Sequence, residues 1–320
     1  MKKLINKVED VEREMIEGIA KEAPDKLRKL PEGNIIVRKT KKEGKVALVS
    51  GGGSGHEPAH AGYVGSGMLD CAVAGAVFTS PTPDQIYEGI KAVATDRGVL
   101  AVVKNYTGDI LNFEMAIDMA KDEGVNADYV VVNDDVAVKD SLYTTGRRGV
   151  AGTIFVHKIA GARAEEGAAL AEVKSCSMGM AISPCTVPAA GKPGFTLADD
   201  EVEIGIGIHG EPGTSREKIL SANEAAKRLL DSILADLDYG GKEVVVLVNG
   251  MGATPLMELY IINNFVQDYL KEKGVTVYDT MVGNYMTSIE MAGFSLTLLR
   301  LDDEMKRLYD AKADTLAWKK

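Results

Sequence analysis

Apolar residues recur at three- and four-residue steps at Leu4, Val8, Val11, Met15 and Ile19, which predicts an amphipathic opening helix with a charged outer face. The period then changes. GKVALVS (44–50) and CAVAGAVF (71–78) are short, nearly continuous apolar runs, the signature of buried strands. SPTPDQIYEGIKAVAT (80–95) predicts a helix begun by Thr82 and Pro83. GVLAVVKNY (98–106) predicts a third strand, TGDILNFEMAIDMAKDEGV (107–125) a turn and helix, and ADYVVVNDD (127–135) a fourth strand. Strands alternating with helices of this length predict a largely parallel sheet with helices on both faces.

Residues 146–180 read as about two further helices. SPCTVPAAGKPGFTLADD (183–200), with three prolines and two glycines and no periodicity, predicts a linker. The pattern restarts with a strand at VEIGIGIHG (202–210), a helix over 215–237, a strand over 242–250, a helix over 254–274 and strands over 275–283 and 295–301. The expected fold is two α/β domains with largely parallel or mixed sheets flanked by helices. The N-terminal domain covers 1–182, the linker 183–200, and a smaller C-terminal domain 201–320.

Composition narrows the function classes. A chain of 320 residues with 45% hydrophobic and 26% charged residues is long enough to bury two cores. Its net charge of −10, with no basic block, argues against nucleic acid and anionic membrane as partners. No apolar stretch reaches the ~18 residues of a membrane span. The early lysines lead into acids rather than an apolar core, so no signal peptide is expected, and a cytoplasmic location is. Cys71, Cys176 and Cys185 are far apart and odd in number, which argues against a disulfide framework or a zinc-thiolate site.

Two familiar motifs mislead. HEPAH (56–60) matches the zinc-protease spacing, but Pro58 between the histidines and glycines just before them oppose one helix carrying both. The competing metallohydrolase reading therefore fails on local geometry, and no metal site is expected. GIGIHG (205–210) matches a dinucleotide pattern. Val202, Ile204, Ile206 and Ile208 alternate with Glu203, Gly205, Gly207 and His209, which predicts glycines inside a strand rather than in the turn after it. No G-x-x-x-x-G-K-[ST] occurs, so this chain has no nucleotide-phosphate loop of its own.

A polar constellation survives. Of the four histidines, His157 reads as a packed helix residue and His60 as structural, whereas His56 and His209 each join a glycine-rich segment to an EP dipeptide, GSGHEP and IHGEPG. Such strand-to-helix junctions are where ligands bind in parallel α/β sheets. KNYTGD (104–109) is a third junction, with Lys104 ending a strand and Asp109 opening a helix. Taken singly, Asp109 is a helix cap and Lys104 a solvated strand end; together with two imidazoles they form a polar site.

These segments resemble a family. GGGSGHEP, AVFTSPTPDQI, VKNYTGD, VNDDVA, GRRGVAGT, GIGIHGEPG and VNGMGATP, in this order, are similar to the substrate-binding K subunits of dihydroxyacetone kinases, and the resemblance runs to DTLAW near the end of the chain. It implies that the glycine-rich segment is a loop whose Gly53, Ser54, Gly55 and His56 hold dihydroxyacetone, that Lys104 and Asp109 hydrogen-bond its hydroxyls, and that His209 adds to its ketone carbon as a hemiaminal. His56 would be the general base, with Asp109 assisting. It also implies a homodimer with no cofactor in this chain. ADP or ATP with Mg would sit on a separate L subunit, recharged by an M subunit from phosphoenolpyruvate. Two related roles share the pocket: a dihydroxyacetone-binding coactivator, and a kinase subunit for another short ketose such as erythrulose. The isolated basic pair Arg147 and Arg148 is a candidate surface for L, against a plain solvated turn.

Overall fold

The computed structural model describes residues 3–139, 144–176, 179–186 and 197–320, and within 179–186 only the side chains of Ile182 and Cys185. The chain forms two compact units. Lys2–Val132, Thr153–Ser177 and Arg307–Lys320 make one; Asn133–Gly152 and Met178–Lys306 make the other.

The first unit opens with α1 (Val11–Glu22), then β1 (Leu27–Lys29), β2 (Ile35–Arg38), β3 (Ala47–Ser54) and β4 (Cys71–Val77). There follow α2 (Pro83–Val93), β5 (Val99–Lys104), α3 (Thr107–Asp122) and β6 (Ala127–Val132), and after an excursion α4 (Thr153–Glu165) and α5 (Leu170–Lys174). The strands lie in the order β1-β2-β4-β3-β5-β6. From β4 to β6 they are parallel, and β2 joins β4 antiparallel. Alternation sorts the side chains: Val49, Val73 and Ala101 pack with Ile86, Ile90 and Phe113 of α2 and α3. Leu48, Leu100 and Val102, on the opposite face, are equally buried, and α4 packs on β3 and β5. Burial on both faces is what makes these strands read as unbroken apolar runs.

The second unit holds β7 (Gly179–Thr186), β8 (Glu201–Ile204), β9 (Ser215–Lys218), α6 (Ala222–Asp236), β10 (Glu243–Gly250), α7 (Leu256–Glu272), β11 (Thr276–Gly283) and β12 (Gly293–Leu301). Its strand order is β11-β10-β12-β7-β8-β9. Only β10 and β11 are parallel; every other neighbour pair is antiparallel. Val244, Val246, Val248, Leu296 and Leu298 share a core with Ala226, Leu229, Ile233, Leu259 and Val266 of α6 and α7. Through α8 (Asp303–Asp310) the chain returns to the first unit. The mixed sheets flanked by helices agree with the α/β expectation.

Several local expectations need correction. The opening helix starts at Val11, after a single 3-10 turn, and Leu4 and Val8 are exposed. Periodicity without a surface to bury against does not sustain a helix. The division differs from the one placed at 183–200: residues 183–186 complete β7, which pairs with β12 from Gly179 to Thr186, and Asn133–Gly152 belongs with the second unit. Residues 187–196 of that segment lie outside the described residues. The helix expected from 215 begins at Ala222, where Ser221 and Glu224 form a reciprocal capping box. SREK before it is the edge strand β9.

Candidate functional site

Gly51, Gly52 and Gly53 of GGGSGHEP are strand, not loop: β3 runs through Ser54. Each answers a close neighbour. A Cβ on Gly51 would stand 2.4 Å from the Val73 carbonyl oxygen, and one on Gly53 2.5 Å from the Thr79 nitrogen and 2.7 Å from the Phe78 backbone. A Cβ on Gly52 would stand 2.8 Å from Lys104 Nζ and 3.6 Å from His60 Nε2. The strand is stripped so that backbone and an ammonium group can approach it. The Ser54 hydroxyl donates to the Gly75 carbonyl at 2.7 Å and the Phe78 amide donates to the Ser54 carbonyl at 3.0 Å, so Ser54 fixes the end of the strand. Gly55, at φ +105°, turns the chain, and its amide donates to Glu57.

His56 follows directly and is fully buried. Its ring stacks on Phe78 at 5.2 Å between centroids and 23° between planes. Phe78 itself adopts φ +55°, a left-handed conformation that a bulky side chain rarely accepts. Backbone strain held this close to a candidate base places its ring where the imidazole needs support. Gly53→Ala should therefore displace the Phe78–Thr79 backbone and the ring behind His56. The expected result is a native circular-dichroism spectrum with activity reduced by about 10²-fold, measured by steady-state turnover.

Lys104 closes β5 and Asp109 lies in the first turn of α3. Both are buried, with Lys104 Nζ 3.8 Å from Asp109 Oδ2. Asp109 does not serve as a backbone cap: Ser80 Oγ donates a short hydrogen bond to its Oδ1. Behind Gly52 a second imidazole pair is enclosed. His60 Nδ1 is 3.0 Å from His157 Nε2, and the Ser50 hydroxyl, 3.4 Å from the same Nδ1, donates to the Val102 carbonyl. Burial first, and then the Lys104 ammonium, hold His60 well below the ordinary histidine range and push His157 down to about 3. Both rings are thus neutral, and both are buried.

The second imidazole of interest lies in the other unit. GIGIHG is not strand: β8 ends at Ile204, and Gly205, at φ +78°, turns the chain into an irregular loop. The alternation that predicted in-strand glycines stops being a pleat at the first of them, because that conformation cannot continue a ladder. His209 is held by Glu211. The His209 amide donates to Oε2 at 2.9 Å and ring Nδ1 lies 3.0 Å from Oε1. Burial drives the Glu211 carboxyl upward, but the hydrogen bonds and charge of His209 outweigh it and leave the group below its ordinary value. The Ser288 hydroxyl fixes the loop by donating to the Ile208 carbonyl at 2.6 Å. Beneath it Arg148, fully buried, donates from Nε to Asp135 Oδ2 at 2.8 Å and from Nη2 to the Gly205 carbonyl at 2.6 Å.

Gly53, Ser54, Gly55, His56, Lys104 and Asp109 thus fall together at the carboxyl ends of parallel strands in the first unit, while His209 falls in the second. Sequence reasoning missed Ser80 and Glu211; the H-x-E spacing at 209–211 was the available signal for the latter. Arg148 is not a surface residue, and Arg147, part-exposed, pairs with Asp236, so the basic pair does not present two side chains outward. Residues 57–60 form turns ahead of a 3-10 helix over Ala61–Tyr63, so no α-helix carries His56 and His60 on one face. Among the described residues no group of three or more His, Cys, Asp or Glu side chains is arranged to hold a metal ion, and no helix is long and apolar enough to cross a membrane.

The chain is 56% identical over 99% of its length, and 100% of the relative's, to the dihydroxyacetone-binding subunit of PTS-dependent dihydroxyacetone kinase 1 of Listeria innocua. Among solved structures it is similar to the dihydroxyacetone kinase operon co-activator Dha-DhaQ, with a TM-score of 0.90, 39% identity and coverage of 96% of this chain and 98% of that one. It is also similar to the dihydroxyacetone kinase of C. freundii, with a TM-score of 0.89 and 33% identity over 99% of this chain and 60% of that one. The family described as Dak1 domain matches residues 17–317, and the chain belongs to it.

Proposed function

We propose that this chain is the dihydroxyacetone-binding subunit of a dihydroxyacetone kinase, presenting the ketose for phosphorylation by a separate nucleotide-carrying L subunit. The observation that carries the reading is the full-length 56% identity to a subunit named for binding dihydroxyacetone. The site chemistry supports it. Lys104 and Asp109 form a desolvated pair suited to hydroxyl groups, and an imidazole is a nucleophile at neutral pH. His209 would add through a ring nitrogen to the ketone carbon. That step selects ketoses over glycerol, which has hydroxyls but no carbonyl. Hydrogen bonds to shared hydroxyls supply less discrimination. His56, with Asp109 assisting, would take the proton of the hydroxyl that attacks the phosphoryl group. The nucleotide and Mg are assigned to L, the ultimate donor to phosphoenolpyruvate through M, and the subunit to a homodimer in the cytoplasm.

Carbon NMR with dihydroxyacetone labelled at its carbonyl tests the covalent step. A protein-bound tetrahedral-carbon signal is expected from wild type and none from His209→Ala; no signal from wild type rejects the hemiaminal. The coactivator reading draws on the 39% identical co-activator structure, against 56% for the kinase subunit. Turnover on adding L, M and phosphoenolpyruvate separates these two roles, and a panel including erythrulose fixes the ketose.

A further inference from the structure

We propose that Glu211 is a positioning residue that fixes the ring tautomer of His209, and that Gly207 is glycine in order to seat it; this rests on the reading of His209 as the nucleophile. Both carboxylate oxygens of Glu211 are committed to one residue, Oε2 to the His209 amide at 2.9 Å and Oε1 to ring Nδ1 at 3.0 Å. An ionised carboxylate only accepts hydrogen bonds, so the proton of the neutral ring sits on Nδ1. The position of Glu211 below its ordinary pKa agrees with ionisation. The lone pair is left on Nε2.

Gly207 lies directly against this carboxylate. A Cβ there would stand 1.8 Å from Glu211 Oε2 and 2.7 Å from Arg148 Nη1. At 1.8 Å the carboxylate must leave its place against the His209 amide. The loop is closed around the seat, with the Gly207 amide donating to the Glu211 carbonyl at 2.9 Å and the Gly210 amide to the Gly207 carbonyl at 3.0 Å. The glycines that mimic a dinucleotide fingerprint thus make room for a carboxylate of the chain itself.

The tautomer decides the addition. The Nε2 lone pair forms the bond to the ketone carbon, and the carbonyl π pair moves to oxygen, which takes a proton from water. The ring becomes cationic with Nδ1–H still held against Glu211, and loss of that proton to water restores neutrality. A ring protonated on Nε2 has no lone pair to offer there.

Long-range proton–nitrogen correlation of the ligand-free full chain, with ¹⁵N-labelled histidine at about pH 8 where imidazole is neutral, reads the tautomer directly. His209→Ala assigns the resonance. Wild type is expected to show His209 with the proton on Nδ1. In Glu211→Gln the side-chain oxygen stays with the backbone amide and the amide nitrogen faces Nδ1. The proton then moves to Nε2, and formation of the labelled-ketone adduct falls by at least roughly 10²-fold, as when the carboxylate of a catalytic triad is amidated. Gly207→Ala is expected to shift the tautomer in the same direction. A wild-type proton on Nε2 overturns the proposal without any variant. So does a Glu211→Gln protein that keeps Nδ1–H and adduct formation unchanged. If the tautomers behave as expected but wild type forms no adduct, the role of Glu211 stands and the ligand assignment fails.

Discussion

His56→Asn retains adduct formation and lowers phosphoryl transfer to dihydroxyacetone by about 10²–10⁴-fold, the range that a positioned general base contributes. Asparagine keeps a planar polar group of similar size against the Phe78 ring, so the stacking at 5.2 Å is disturbed little. What it lacks is a basic nitrogen. The two readouts separate binding from chemistry: carbon NMR follows the adduct, and turnover with L, M and phosphoenolpyruvate follows transfer. Loss of both would place His56 in binding. Turnover within tenfold of wild type would remove it from the proton transfer.

Arg148→Met destabilises the protein by about 3–5 kcal/mol, the cost of removing one member of a buried ion pair. Arg148 and Asp135 are both fully buried, and the guanidinium also satisfies the Gly205 carbonyl. Methionine restores volume but leaves a carboxylate and a carbonyl without their donor. Burial already pushes Asp135 above the ordinary carboxylate value of 3.8, against the pull of Arg148, and losing Arg148 raises it further. A carboxyl raised on folding binds more protons in the native state, so the stability it costs grows as pH rises above its unfolded value. The deficit measured by urea unfolding should be smallest near about pH 4 and grow toward neutrality. Arg147→Ala is the control: its pair with Asp236 is part-exposed and worth about 0–1 kcal/mol. Equal effects from the two arginines would refute this account.

The first sheet was legible because β3, β4 and β5 are buried on both faces and carry continuous apolar runs bounded by turns. β1 and β2 were not, since LRK and IIVR are too short to show a period and end in cations. The mostly antiparallel second sheet was read as more strand-and-helix alternation. β9 is a polar edge strand, SREK, that resembles a helix start, although the Ser221–Glu224 capping box marked the true one. The two glycine motifs came out reversed: GGG is strand and GIG is loop. Glycine count does not distinguish a strand stripped for a neighbour from a turn that needs positive φ; that difference lies in Val73, Phe78, Thr79 and Glu211, which are distant in sequence or hidden by the motif. Lys104 and Asp109 could be singled out as candidates, but their burial, and Ser80 holding Asp109, are tertiary facts.

The chain leaves the first unit after Val132, comes back at Thr153, leaves again after Ser177 and returns at Arg307. There Trp318 packs edge-on against Phe155 and Tyr309, and the Ala317 amide donates to the Gly62 carbonyl. On the ribosome, which delivers a chain from its amino end, this has an order built in. The six strands of the first sheet are all made within the first 132 residues, yet the segment that packs on Phe155 and Gly62 emerges only after the second unit. A nascent chain can hold the sheet, but the Trp318–Phe155 packing and the Ala317–Gly62 hydrogen bond must wait until the second unit has been synthesised.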